Sequence, residues 1–332
     1  MKIYPKFIFL TILFVSLVAF VLFLFSQFSG PGKSKEKERF IIKLETPEEK
    51  IIADLKEKGF LKNEIIFNLI LSLKGWHKKI EPGAYLISKS MNAYELAGTL
   101  VYGPFQKWVL IPPGKRKEQV ALILKNSLNW PDHMLNTFVQ LAQEGYLYPD
   151  TYLINTDADP QQVILKLVDN FNEKFDAQLQ KDLLAQNIRN DTAVKIASLI
   201  ERESGSDEDK PIIAGIIWNR LNKKMKLEID ATVQYAIVSQ KLDQIGLQSL
   251  TDFDFWPTLG PGLVRTVDSS YNTYRIKALP SGPICSPGLA SIRAVAYPAE
   301  TDALYYLHSP DKQIHTAKTY KEHQENIEKY LK

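Results

Sequence analysis

Cysteine is almost absent from this sequence: of 332 residues only Cys285 is a cysteine. One cysteine cannot form an intramolecular disulfide, so no disulfide framework holds the chain together. Because free cysteines are usually buried, we expect Cys285 to be a small packed side chain rather than a nucleophile.

Motifs of several common site classes are absent as well. There is no HExxH, and His308, His315 and His323 lack the spacing of metal ligands, so no metal site is predicted. The GxSxG motif of many serine hydrolases does not occur. The formal net charge of +3 is too small, and its basic residues too dispersed, to indicate nucleic-acid binding.

A long apolar run is present near the N-terminus. From Phe7 to Phe25 the chain has no charged residue, which approaches the roughly 20 residues that a membrane-spanning helix needs. The run exceeds the apolar core of a cleavable signal peptide, about 7–15 residues. We therefore expect a cytoplasmic tail over 1–6 and a single-pass transmembrane helix over 7–28.

A polar linker rich in Gly, Pro, Ser and charge is predicted over 29–39, followed by a small module over 40–103. The module begins with a strand and then a helix, for which Thr46 is the predicted N-cap. Pro47 would occupy its first position, and Glu49 would complete a capping box. The other predicted elements are a helix from Lys62 to Leu73, a strand in IEPGAYLIS and a short helix from Ala93 to Leu100.

The rest of the chain, 104–332, indicates a larger mixed domain. A strand in WVLIPPG is predicted to lead into helices up to about residue 190, and strands and helices are mixed beyond 205. Pro- and Gly-containing segments at 256–262 and 279–288 are candidate binding loops. The predicted fold class is α+β.

The segment AVKIASLIERESG is the most informative part of this domain. Its spacing predicts a helix with Val194, Ala197, Ser198 and Glu201 on one face, whereas Glu203 lies about 200° further round. A carboxyl on an apolar face is costly to ionise, so Glu201 is expected to hold a proton near neutral pH, as a general acid must. A helix-end glutamate paired with a nearby Lys or Arg is the alternative.

Six segments follow one another along the chain: EGYLYPDTY, IASLIERESG, WNRL, MKLEIDATVQYA, SYNTYRIKALPSGPICSPG and HTAKTYKEH. In this order they resemble the motifs of the YceG-like family of endolytic murein transglycosylases. Tyr148, Ala231, Ala278, Ser281 and Ser286 depart from the usual family residues, and the resemblance covers most of the chain after about residue 40.

The resemblance implies a LysM-like module over 40–103 and a catalytic domain over 104–332. Glu201 falls on the family's catalytic glutamate. The implied substrate is the β-1,4 bond between N-acetylmuramic acid and N-acetylglucosamine inside peptidoglycan strands, cleaved to 1,6-anhydro ends without metal or organic cofactor. The domain would act on the outer side of the bacterial cell membrane, ending nascent strands beside penicillin-binding synthases.

The matched motifs also supply candidate substrate-binding residues, each with an ordinary structural alternative. Asn219 and Arg220 either bind sugar substituents or pin the loop after Gly205. Asp230 either orients a polar network or caps a helix that starts at Thr232. The candidates are Ser198, Asn219, Arg220, Asp230, Thr232, Tyr271, Asn272 and Tyr274.

Some alternatives stay open at this point. The tyrosines are equally suited to stacking on sugars and to core packing, and Glu144 and Asp150 are interpreted as structural residues of the PDTY turn. The LysM-like module is either a glycan-binding unit or a spacer or dimer surface. As a whole, the protein would otherwise be a non-catalytic, membrane-anchored wall-binding scaffold, or a hydrolytic muramidase that pairs Glu201 with Asp230.

Overall fold

A computed structural model describes residues 5–247, 250, 252–260 and 262–332. It divides into two compact units with a mixed α+β fold. The first unit contains the described residues up to Trp108 together with Tyr152–Asp157, and the second contains Val109–Thr151 and Ala158–Lys332. The chain thus leaves the first unit after 108, beyond the predicted module boundary at 103, and returns to it once.

The first unit begins with helix α1, Pro5–Phe28. Its segment Phe9–Phe28 has a mean hydropathy of 2.8 and is, by length and composition, able to cross a membrane. The apolar run therefore does form a helix, and that helix is compatible with the predicted anchor. The elements that follow are β1 (Glu38–Ile42), α2 (Glu48–Glu57), α3 (Glu64–Lys74), β2 (Gly83–Ile87), α4 (Ala93–Tyr102), β3 (Gln106–Leu110) and β4 (Thr151–Asn155).

The strands form one sheet in the order β1-β2-β3-β4, and β1 runs antiparallel to β2 with Phe40 opposite Tyr85. Alternate side chains of β1 point inward, and Phe40 packs with Leu55 of α2 and Phe67 of α3 in an apolar core. The predicted strand–helix–helix–strand order is confirmed, while its designation as LysM-like stays a prediction.

Two local predictions in this region are wrong. Thr46 is not the N-cap of α2: the helix begins at Glu48 after Pro47, and the Thr46 hydroxyl donates to the carbonyl of Lys43 instead. The interval predicted as helical up to about 190 contains strand β4, which pairs with sequence-distant partners and therefore carries a weak local signal.

The second unit is mainly helical, and α9 lies at its centre. Residues Ala193–Ile200 of α9 are buried except Lys195, and the helix packs against α8, α10, α11 and α13. A helix whose central turns are apolar on most sides needs such enclosure, and the predicted helix is confirmed. The elements are α5 (Lys117–Leu128), α6 (Asp132–Leu141), α7 (Pro160–Lys174), α8 (Ala177–Ala185), α9 (Asn190–Glu203), α10 (Asp209–Asn222), α11 (Asp230–Ile245), α12 (Leu263–Thr266), α13 (Leu289–Ala296), β5 (Tyr305–His308), β6 (Ile314–Ala317) and α14 (Tyr320–Tyr330).

Gly145 leaves room for a close approach in this core, because a Cβ there would lie 2.5 Å from Cγ of Pro283 and 3.0 Å from Cγ1 of Val194. We expect Gly145→Ala to lower the free energy of unfolding more than Gly246→Ala. Both glycines have positive φ, which costs an alanine about 1–3 kcal/mol, but Gly246 faces open space. Crowding should add about 1–3 kcal/mol at Gly145. Denaturant unfolding measures both variants, and equal losses would contradict the close contact.

Candidate active site

Glu201 lies in the last turn of α9 with a side chain that is 8% exposed. Its Oε2 accepts hydrogen bonds from the backbone N–H of Gly288 at 2.9 Å and from the Ser291 hydroxyl at 2.6 Å. The Lys210 ammonium lies 3.4 Å from the same oxygen. The donors that the described residues give to this carboxyl all converge on Oε2, which leaves Oε1 for an external partner.

The two uncharged donors come from the start of α13. Gly288 is its N-cap and Ser291 is the third residue of the helix. Backbone N–H groups at a helix start lack intrahelical partners and favour a negative charge, and Glu201 occupies that position. The expectation of a carboxyl among apolar side chains is therefore only half right, because Glu201 is buried but one of its oxygens has polar partners.

Lys210 lies between two carboxylates, those of Glu201 and Asp207. It is 9% exposed in the first turn of α10, and its Nζ lies 2.7 Å from Oδ1 of Asp207 as well as 3.4 Å from Oε2 of Glu201. A buried ammonium needs such counter-charges. The ion pair that the sequence left as an alternative for Glu201 is thus present.

Two loops border Glu201. The segment 111–115 is tied to the segment before α13, because Gly114 N–H donates to Ser286 O and Ser286 N–H donates to Lys115 O, at 2.9 and 2.8 Å. A Cβ on Gly114 would lie 3.8 Å from Cγ of Glu201. The predicted loop at 279–288 therefore does reach the candidate catalytic residue.

The second predicted loop contacts the next residue of α9. The Arg202 guanidinium lies over the Trp256 ring, 3.9 Å from its centroid, and Trp256 Nε1 donates to Gln119 Oε1 at 3.2 Å. Loop residues 256–260 and 262 belong to the described part of the chain, whereas residue 261 lies outside it. Both candidate loops thus flank the C-terminal end of α9.

Glu203, which the sequence placed on a different face of α9 from Glu201, is also partly enclosed. It is half-buried, and the Tyr306 hydroxyl of β5 donates to its Oε2 at 2.6 Å. Burial raises the pKa of Glu203, and the negative charge of Asp230 raises it further. Asp230 in turn accepts from the Tyr274 hydroxyl at 2.7 Å. These four side chains form a second polar group on the other side of α9 from Ser198.

Three of the predicted substrate-binding residues are wholly buried and bind other parts of the protein. Ser198 accepts from Ile284 N–H at 3.1 Å and so holds the segment beside Cys285. Thr232 bonds to Thr273, and Asn272 donates to the carbonyls of Val264 in α12 and of Val267 just after it. A direct contact with substrate does not fit this burial. Cys285 is buried as predicted, and burial raises the pKa of its thiol well above the ordinary value.

Asn219 and Arg220 pin loops, but not the loop after Gly205. The Asn219 amide donates to the carbonyls of Thr301 and Ala303, at 2.8 and 3.1 Å. The Arg220 guanidinium donates to Leu304 O at 2.6 Å and to carbonyls of the 226–227 turn. Both side chains therefore stabilise connections around α10.

Asp230 and the tyrosines keep part of their exposure. Asp230 is exposed and is itself the first residue of α11, with Ile229 as N-cap, so the alternative of a cap before Thr232 is wrong. Tyr274 is half-buried against Asp230, while Tyr271 packs on Tyr235 with ring centroids 4.7 Å apart. Asp230 and Tyr274 are thus the predicted binding residues with accessible polar groups.

Glu144 has a structural position, though not in the PDTY turn. Its carboxyl accepts from Lys117 N–H at the start of α5, whereas Asp150 accepts from Thr151 N–H within the turn. Burial, followed by the charge of Glu118, raises the pKa of Glu144 to about 8.

Sequence reasoning missed Lys210, Gly288 and Ser291 as partners of Glu201. Gly288 is the last residue of a matched motif and Ser291 lies three residues after it, so nearness to that motif could have indicated both residues. Lys210 carried no such signal, because only the packing of α10 on α9 brings it to Glu201.

Comparison with known proteins gives consistent matches. The model of the YceG-like family matches residues 40–329. An endolytic murein transglycosylase of Bacillus subtilis is 27% identical over 85% of this chain and 81% of its own length. Its namesake from Streptococcus pneumoniae is 26% identical over 83% of this chain, which spans only 55% of that protein. A crystal structure of a YceG-like protein from Listeria monocytogenes, 26% identical, covers 88% of this chain and 99% of its own, with a TM-score of 0.53.

Glu144 predicts a pH dependence of stability. Its pKa is higher in the folded protein than its ordinary value of 4.5, so the folded state binds the extra proton. Its contribution to stability is complete below pH 4.5 and is lost as pH rises through about 8. Glu144→Gln should therefore flatten the fall in melting temperature over this range. Glu173→Gln, at an exposed position of α7, is the control and should leave the wild-type slope unchanged.

Proposed function

Because the chain belongs to the YceG-like family, we propose that it is an endolytic peptidoglycan lytic transglycosylase in which Glu201 is the catalytic acid and base. The observation that carries this proposal is the geometry of one carboxyl. Oε2 of Glu201 is held by Gly288, Ser291 and Lys210, and Oε1 is left to exchange a proton with a substrate.

In the first step, protonated Glu201 gives its proton from Oε1 to the glycosidic oxygen that leaves with N-acetylglucosamine. The bond from that oxygen to C1 of the muramyl residue breaks as oxocarbenium character develops. The N-acetyl carbonyl of the substrate stabilises C1 and replaces a protein nucleophile. The donors on Oε2 stabilise the carboxylate that this step leaves behind.

In the second step, the Glu201 carboxylate removes the proton of the muramyl C6 hydroxyl, and O6 attacks C1. A 1,6-anhydro ring closes, Glu201 is protonated again and no water is consumed. The enzyme is therefore a lyase. A hydrolytic muramidase would need a second carboxylate to activate a water molecule, and Asp230 is the candidate. However, the Asp230 carboxyl accepts a hydrogen bond from the Tyr274 hydroxyl, and its charge raises the pKa of Glu203.

The N-terminal region would keep this chemistry near the cell membrane. Helix α1 would anchor the protein, with the catalytic unit on the periplasmic or extracellular side where peptidoglycan lies. A linker of about ten residues spans at most about 36 Å when extended. The protein would therefore act on strands as they emerge, beside the penicillin-binding synthases. The module at 40–103 would either bind the glycan or serve as a spacer or dimer surface. The rival proposal of a non-catalytic scaffold predicts binding without cleavage.

The first test concerns Glu201. Glu201→Gln keeps the size of the side chain but cannot donate the proton, so release of 1,6-anhydro ends should fall at least about 100-fold. Mass spectrometry of muropeptides measures the products and separates anhydro ends from hydrolysed ends, which carry one more water. Glu203→Gln is the matched control, because the raised pKa of Glu203 already favours the neutral form that Gln imitates. Retention of most activity by Glu201→Gln would remove Glu201 from this role.

The second test concerns where strands are cut. With long glycan strands of defined length, the early products should be internal fragments ending in 1,6-anhydro-muramyl residues. The physical reason is that an endolytic site must be open at both ends, with the loops at 256–262 and 279–288 as its walls. Size separation of early samples measures this. Accumulation of anhydro-disaccharides alone from the first samples would contradict endolytic action.

A further inference from the structure

Lys210 occupies an unusual position between two carboxylates of different exposure. Its ammonium is 2.7 Å from Asp207, whose side chain is 72% exposed, and 3.4 Å from Glu201, whose side chain is 8% exposed. The shorter contact is thus to the residue in water, and the longer one is to the candidate catalytic residue. Lys210 itself is 9% exposed and has little water to share its charge.

The charge balance of these three residues depends on the proton of Glu201. When Glu201 is protonated, Lys210 and Asp207 neutralise one another. When Glu201 has given up its proton, the group carries one negative charge and Lys210 faces two carboxylates. A cation this close favours the ionised form of a carboxyl. Lys210 therefore stabilises the carboxylate form of Glu201, and Asp207, which contacts the same ammonium, offsets part of that stabilisation.

We propose that Lys210 and Asp207 are a positioning pair that sets how readily Glu201 holds its proton before bond cleavage and accepts one afterwards. Lys210 stabilises the carboxylate that cleavage produces, and Asp207 limits that stabilisation so that the proton from the C6 hydroxyl returns to Glu201. Neither residue needs to touch the substrate. This inference rests on the proposed role of Glu201.

Other ionisable groups near Glu201 stay unchanged when Lys210 or Asp207 is substituted. Asp209 is engaged by Gly205 N–H, Ser206 N–H and His308. Further groups on the elements around α9 are Arg202 and Glu203 on α9 itself, Asp230 on α11, which acts on Glu203, and Cys285 before α13. A difference between the variants therefore reports on Lys210 and Asp207.

The test is the pH dependence of kcat/KM for release of 1,6-anhydro ends by the full-length protein in detergent micelles. In Lys210→Met the alkaline limb, where the protonated acid is lost, should move to higher pH by about 1 unit. In Asp207→Asn it should move to lower pH, by less, because Asp207 is exposed and its charge is screened. A merely structural role does not move the two limbs in opposite directions.

Lys210→Arg keeps the charge and should restore the wild-type limb, and Lys166→Met, at an exposed position of α7, should not move it. Because Asp207 is exposed, its variant tests the inference even if Lys210→Met does not fold. The inference is overturned if both variants are active and their alkaline limbs stay in place or move in the same direction. That result leaves the proposed function intact. Wild-type protein that releases no anhydro ends overturns both.

Discussion

The site depends on the burial of one carboxylate at the end of a helix whose central residues, Ala193–Ile200, are buried except Lys195. Removing such an ion from water costs on the order of several kcal/mol unless the protein supplies replacement partners. Glu201 obtains them from two elements, the start of α13 and the first turn of α10. The packing of α9, α10 and α13 is therefore needed both to enclose apolar side chains and to satisfy Glu201.

That packing explains why the motif EGYLYPDTY lies near the site although none of its side chains is among the described groups that bond to Glu201. Gly145 has no side chain where Pro283 approaches, which allows the segment before α13 to lie against α9. Glu144, its neighbour, accepts from the first N–H of α5, the helix that follows the loop at 111–115. One short motif thus contacts both loops that border Glu201, although Glu144 itself faces the protein interior.

The parts that the sequence predicted are those set by local pattern. The apolar spacing in AVKIASLI predicts α9, and the resemblance adds Glu201. The roles of polar residues in the matched motifs do not follow from the sequence, because a polar side chain in a motif can bind either the substrate or another part of the protein. Ser198 and Thr232 bind protein. The capping box at Thr46 failed because the helix starts one residue later than that box requires, after Pro47. Lys210 could not be found at all, since only tertiary packing brings it to Glu201.

The two glutamates at the end of α9 differ in ways that their sequence spacing does not reveal. Both are largely enclosed, yet Glu201 is held by a helix start and a lysine, whereas Glu203 faces a tyrosine hydroxyl and the negative charge of Asp230. A group that must both donate and regain a proton needs its anion stabilised. Among the residues that the structure describes, a cation is in direct contact with Glu201 but not with Glu203. Burial raises the pKa of Glu203, because that carboxyl has no such cation beside it in the described part of the chain and is costly to ionise. Neighbouring charges, rather than burial alone, therefore favour Glu201 for the reversible proton transfer that a single-carboxylate mechanism requires.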